Sequence, residues 1–124
     1  MAEHRDPEPD PRIATGRAGE NAALRVYERR GFRLVARNWR CSIGELDLVL
    51  RKGASLVVCE VKTRSGTAFG GGYESVTWTK RRRLRQLAEA FVHQRGLNES
   101  EVRFDVASVW LGGATRVEIF EDAF

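Results

Sequence analysis

The chain has 124 residues, 42% of them hydrophobic, and a net charge of +4, enough for one domain with its own apolar core. Its two cysteines, Cys41 and Cys59, lie far apart with no C-x-x-C spacing and no nearby histidine pair, which excludes a zinc finger and a disulfide framework. No stretch approaches the ~18 apolar residues of a membrane span, so no membrane partner is expected.

Residues 1–11 contain all three prolines and set Glu3, Asp6, Glu8 and Asp10 against Arg5. With almost nothing apolar to bury, they read as a disordered acidic tail ahead of a domain spanning 12–124, and they lack the apolar centre of a signal peptide. A reducing, cytoplasmic setting is expected. Beyond this tail the chain is more basic than the whole. That suits a polyanionic partner, and an arginine-rich compositional bias explains it equally well.

A first helix is predicted over 17–30, with Ala23, Val26 and Tyr27 on its apolar face and Gly31 as its stop. Strands follow over 32–39, 46–50 and 56–63, the last two joined by the turn 52–55. A glycine-rich loop over 65–75 carries Phe69 and Tyr73, and either closes over a substrate or is a plain connection. A second helix over 78–95 has the core stripe Leu84, Leu87, Ala88 and Phe91, with Gly96 as its stop. Strands over 102–111 and 116–120 are linked through Gly112-Gly113. The order α-β-β-β-α-β-β predicts an α/β fold, a mixed central sheet flanked by helices.

The informative stretch is Gly44-Glu45-Leu46-Asp47 with Glu60-Val61-Lys62. If the turn 52–55 closes a hairpin pairing Arg51 with Leu56, Asp47 falls opposite Glu60, and Glu45 opposite Lys62. Leu46, Leu48 and Leu50 then meet Val61, Cys59 and Val57 on one apolar face, and a one-residue slip would bury the charges. Facing carboxylates repel by up to ~1 kcal/mol, and their hard oxygens suit Mg²⁺ or Mn²⁺. Lys62 beside them is placed to steer a water or to offset phosphorane charge. Spacing alone is met equally by a salt-bridged strand end, Glu45 to Lys62, with Asp47 and Glu60 solvated.

At these residues the chain resembles the PD-(D/E)XK nuclease superfamily and, more specifically, the YraN family of small bacterial proteins, which is similar in fold to Holliday-junction resolvases. The stretches 16–23, 38–40, 44–49, 60–64, 103–106 and 122–124 carry the likeness across nearly all of 12–124. It implies a restriction-endonuclease-like fold, with Asp47, Glu60, Lys62 and Glu20 catalytic. It implies a Mg²⁺ or Mn²⁺ ion on Asp47, Glu60 and the backbone carbonyl of Val61, and a homodimer acting on DNA, branched forms included. Glu20 has a second reading, as a first-turn acid favoured by the helix dipole. Asp105 is read as structural, paired with an arginine in the sheet.

Lys80, Arg81, Arg82 and Arg83 open the second helix, where cations oppose the helix dipole unless phosphates meet them. With Arg64 they form the expected nucleic-acid contact, set against an ordinary solvated basic face. The leading expectation is a metal-dependent endonuclease acting on DNA or another nucleic acid. The alternative is a catalytically silent module of the same fold that binds nucleic acid or recruits a partner.

Overall fold

The computed structural model describes residues 10–64, 76–97 and 101–124. Helix α1, Pro11–Arg29, starts earlier than the predicted 17. The Asp10 carboxylate accepts the Arg12 N–H at 2.9 Å, and Pro11 stands in the first turn, where it has no N–H to leave unpaired. Asp10 and Pro11, expected in the tail, thus begin the helix, and residues 1–9 lie outside the described residues. Glu20 therefore sits in the middle of α1, which has no acid in its first turn. This overturns the helix-dipole reading.

Five strands form one sheet in the order β1-β2-β3-β4-β5: β1 Arg33–Cys41, β2 Gly44–Lys52, β3 Ser55–Arg64, β4 Glu101–Trp110 and β5 Arg116–Phe120. The β3–β4 contact is parallel and the others are antiparallel. Helix α2, Trp78–Arg95, lies between those parallel strands in sequence. It matches the predicted bounds, with Thr77 capping its start and Gly96 at φ 61° ending it. Val57, Val58 and Cys59 of β3 are buried in succession, as in a central strand covered on both faces.

Two apolar clusters flank the sheet. Ala22, Ala23 and Tyr27 of α1 pack with Leu48, Leu50, Val57, Cys59, Ala107 and Val109. Leu84, Leu87, Ala88 and Phe91 of α2 pack with Leu46, Val49, Val58 and Val106 on the other side. Behind α1, the fully buried Asp105 accepts from Tyr27 Oη at 2.7 Å, from Arg103 at 2.9 and 3.0 Å, and from the Asp122 N–H at 3.0 Å. The expected structural pairing of Asp105 with an arginine is present. Burial, followed by the nearby Cys59 and Asp105, holds the Tyr27 hydroxyl well above the usual phenol range, so it stays a donor. The predicted glycine-rich loop lies outside the described residues.

Candidate metal centre

The β2–β3 hairpin has the expected register from Lys52–Ser55 to Leu48–Cys59, and its pairing ends there. Asp47 is not paired across to Glu60 as the hairpin pattern suggested. Its Oδ2 instead accepts the Val61 N–H at 2.9 Å. On the other side of β2, Arg37 pairs with Leu48 and Trp39 with Leu46. Between those pairs Asn38 takes φ 50°, a left-handed conformation that asparagine tolerates better than most residues.

The alternation of β2 changes at the same level. Leu48 and Leu50 join the α1 cluster, whereas Leu46 joins the α2 cluster. The single apolar face expected for Leu46, Leu48 and Leu50 is therefore broken at Asp47. Interrupted pairing turns the Asp47 carboxylate out of the regular ladder and toward the acids of its neighbours.

Glu20 from α1, Glu45 and Asp47 from β2 bring carboxylate oxygens within 4.8 Å of one another. Asn38 Nδ2 bridges two of them, donating to Glu20 at 3.0 Å and to Glu45 at 2.9 Å. Arg37 Nε reaches Glu20 at 3.2 Å, and Arg40 Nε reaches Glu45 at 2.8 Å. Glu20 is brought in by a close helix–sheet approach, since a Cβ on the preceding Gly19 would lie 1.9 Å from Thr63 Oγ1.

Burial, then the charge of Glu60, then those of Glu20 and Glu45 push the Asp47 carboxyl up to about 7, against the opposing Val61 N–H. Such a group exchanges its proton readily near neutrality. Arg37 and Arg40 offset part of the charge on Glu20 and Glu45, and the three close carboxylate oxygens form a donor set that could hold a metal ion.

Glu60 belongs to the same centre but pairs with α2: Lys80 Nζ lies 2.8 Å from Glu60 Oε1. Burial works against the charged form of Lys80. The hydrogen bond to Glu60 and the charges of Glu60 and Asp47 outweigh it, and the ammonium is held above its ordinary range. Lys62 is half-buried on β3 beside Lys80. An open cleft lined by Gly44, Glu45, Asp47, Glu60, Lys80 and Arg83 exposes this group.

The basic start of α2 does not act as one patch. Arg81 Nε donates to the Val76 carbonyl at 2.9 Å and its guanidinium stands 5.8 Å from the Phe124 ring, while Arg82 and Arg83 are exposed. Arg64 is half-buried at the end of β3, its carbonyl accepting from the Leu111 N–H. Trp78, 81% exposed, adds an aromatic surface at the same helix end.

Asn38, Arg37 and the Lys80–Glu60 pair were not marked as parts of the site by the sequence pattern. An asparagine amid strand formers was the available signal for the first. The other two depend on contacts between distant elements.

Residues 19–109 match the model of the Uncharacterised protein family UPF0102. A UPF0102 protein of Frankia alni is 50% identical over 90% of this chain and 94% of its own length. Another, from Pelotomaculum thermopropionicum, is 44% identical over 93% of this chain and 98% of its own. No described helix is long and apolar enough to cross a membrane.

Proposed function

We propose that this chain, which belongs to the UPF0102 family, is a divalent-metal-dependent phosphodiesterase acting on nucleic acid, with DNA as the expected substrate. The observation that carries the reading is the convergence of Glu20, Glu45 and Asp47 within 4.8 Å, beside Glu60 and two lysines. Two elements, α1 and β2, supply these acids. Although Arg37 and Arg40 pair with Glu20 and Glu45, Asp47 still feels the charges of Glu60, Glu20 and Glu45. The order of elements, with Asp47 on β2 and Glu60-Val61-Lys62 on β3, supports the likeness to the PD-(D/E)XK nucleases and to their restriction-endonuclease-like fold.

In this reading Asp47, Glu20 and Glu45 hold the ion, and Glu60 adds to them once released from Lys80. The ion supplies Lewis-acid charge at the phosphate and lowers the pKa of a bound water. Lys62 offsets charge that develops on the phosphate oxygens. Arg82 and Arg83 anchor flanking phosphates, and Trp78 offers a stacking face to an unpaired base. Cleavage that requires Mn²⁺ or Mg²⁺, and that disappears in Asp47→Ala and in Lys62→Ala, is the test. Equal cleavage by these variants would rule the mechanism out.

A second reading is favoured by the Lys80–Glu60 pair, which already neutralises one acid without a metal. It is a silent module that binds nucleic acid and turns nothing over. Salt-sensitive binding with no metal-dependent cutting would establish it.

A further inference from the structure

Lys80 makes an unusual choice of partner. It stands in the first turn of α2 near the exposed Arg82 and Arg83, yet its ammonium turns inward to Glu60 at 2.8 Å. The Glu60 side chain is 11% exposed and that of Lys80 38%. Lys80 therefore reaches the acid from the open cleft while the acid itself is nearly enclosed. At that point the ammonium does for Glu60 what a divalent ion would do: it neutralises a carboxylate that otherwise repels Asp47. A lysine suits such an exchange, because its charge sits on a flexible stem and the contact is only partly buried.

We infer that Lys80 is the exchangeable counter-ion of Glu60. A divalent cation arriving at Asp47 and Glu60 displaces the ammonium, which then turns to a phosphate of the nucleic acid lying along the start of α2. The inference rests on the metal-dependent reading above and adds an order to it. Metal frees Lys80 for phosphate, and phosphate draws Lys80 away from Glu60. Linkage makes the two effects equal, so ion and nucleic acid bind cooperatively. Premature closure on a phosphate without metal is disfavoured by the same contact.

The test is a Mn²⁺ titration of the full chain, with free Mn²⁺ read by electron paramagnetic resonance. Wild type, Lys80→Met, Lys80→Arg and the double variant Lys80→Met/Glu60→Gln are compared. Lys80→Met is expected to bind Mn²⁺ about five- to tenfold more tightly, Lys80→Arg to stay near wild type, and Glu60→Gln to cancel the gain. Lys80→Gln serves in the same role should Lys80→Met not melt cooperatively. A fluorescent oligonucleotide with phosphorothioate linkages, followed by anisotropy, reads the second half. Mn²⁺ should raise its affinity several-fold more for wild type than for Lys80→Met, in which only the ion's own attraction for the phosphate remains. An equal gain in both would overturn the exchange. Equal Mn²⁺ affinity in wild type and Lys80→Met overturns the exchange and leaves the metal site standing. No Mn²⁺ binding by any of the proteins overturns both.

Discussion

Asp47 accepts the backbone N–H of Val61 at 2.9 Å, so a side-chain carboxylate stands where the β2–β3 ladder has stopped. The bond ties the acid to the strand that carries Glu60 and Lys62. It also leaves the second carboxylate oxygen available to the cluster formed with Glu20 and Glu45. One hydrogen bond thus sets the spacing between the two halves of the motif.

The position of Asp47 makes metal-free stability depend on pH. Its folded pKa is raised from 3.8 to about 7, so between those values the folded state binds more protons than the unfolded chain. Stability therefore falls as pH rises from about 4 through about 7. Urea denaturation in chelator should show wild type weaker at pH 8 than at pH 5 by about 1–3 kcal/mol. Asp47→Asn should remove most of that difference and be the more stable protein at pH 8. A wild type equally stable at both values would contradict the assignment.

Metal binding should carry the opposite pH dependence. A ligand titrating near 7 must lose its proton, so Mn²⁺ affinity should rise about tenfold from pH 6 to pH 8 with proton release. Calorimetry in two buffers of different ionisation enthalpy measures that release directly. Affinity flat across this range would show that Asp47 is not the titrating ligand.

Gly19 controls how closely α1 approaches β3. A Cβ there would lie 1.9 Å from Thr63 Oγ1 and 2.9 Å from Thr63 Cβ, a stub too short to swing aside. Gly19→Ala should cost about 1–3 kcal/mol despite the better helix propensity of alanine. It should also weaken Mn²⁺ binding, because it displaces the adjacent Glu20. Combining it with Thr63→Ala should recover much of both losses, a coupling readable in a double-mutant cycle.

Asp105, in register with Cys59 in the middle of β4, ties α1 to the sheet through Tyr27 and should separate stability from function. Asp105→Ala leaves Arg103 and Tyr27 without their shared acceptor and should destabilise by about 3–5 kcal/mol, against about 1 kcal/mol for Tyr27→Phe. Mn²⁺ affinity in Tyr27→Phe should match wild type. A selective loss of metal binding in that variant would place the network within the site.

Much of this architecture is legible from local pattern. The leucine and valine alternation around the turn 52–55 sets the hairpin register, and the Leu84–Phe91 stripe with Gly96 bounds α2. Asp47, Glu60 and Lys62 are singled out by the same alternation, because charges interrupt otherwise apolar strands. Three features escape it. The early start of α1 is hidden because Asp10 and Pro11 are as typical of an acidic, proline-rich tail as of a helix cap. The change of face at Asp47 depends on the left-handed Asn38 on a neighbouring strand, and periodicity assumes regular strands on both sides. The Lys80–Glu60 pair joins residues twenty positions apart through helix docking, which local spacing does not encode.

The most direct measurement is gel analysis of a substrate panel of duplex, single-stranded, flapped and four-way-junction DNA. Wild type and Asp47→Ala are run side by side with Mn²⁺ and with chelator. Cutting by wild type with Mn²⁺ alone, absent in Asp47→Ala, is the expected result, and the preferred substrate identifies the structure recognised. Bands shifted but uncut under every condition would contradict a hydrolytic metal centre and leave a nucleic-acid-binding module in its place.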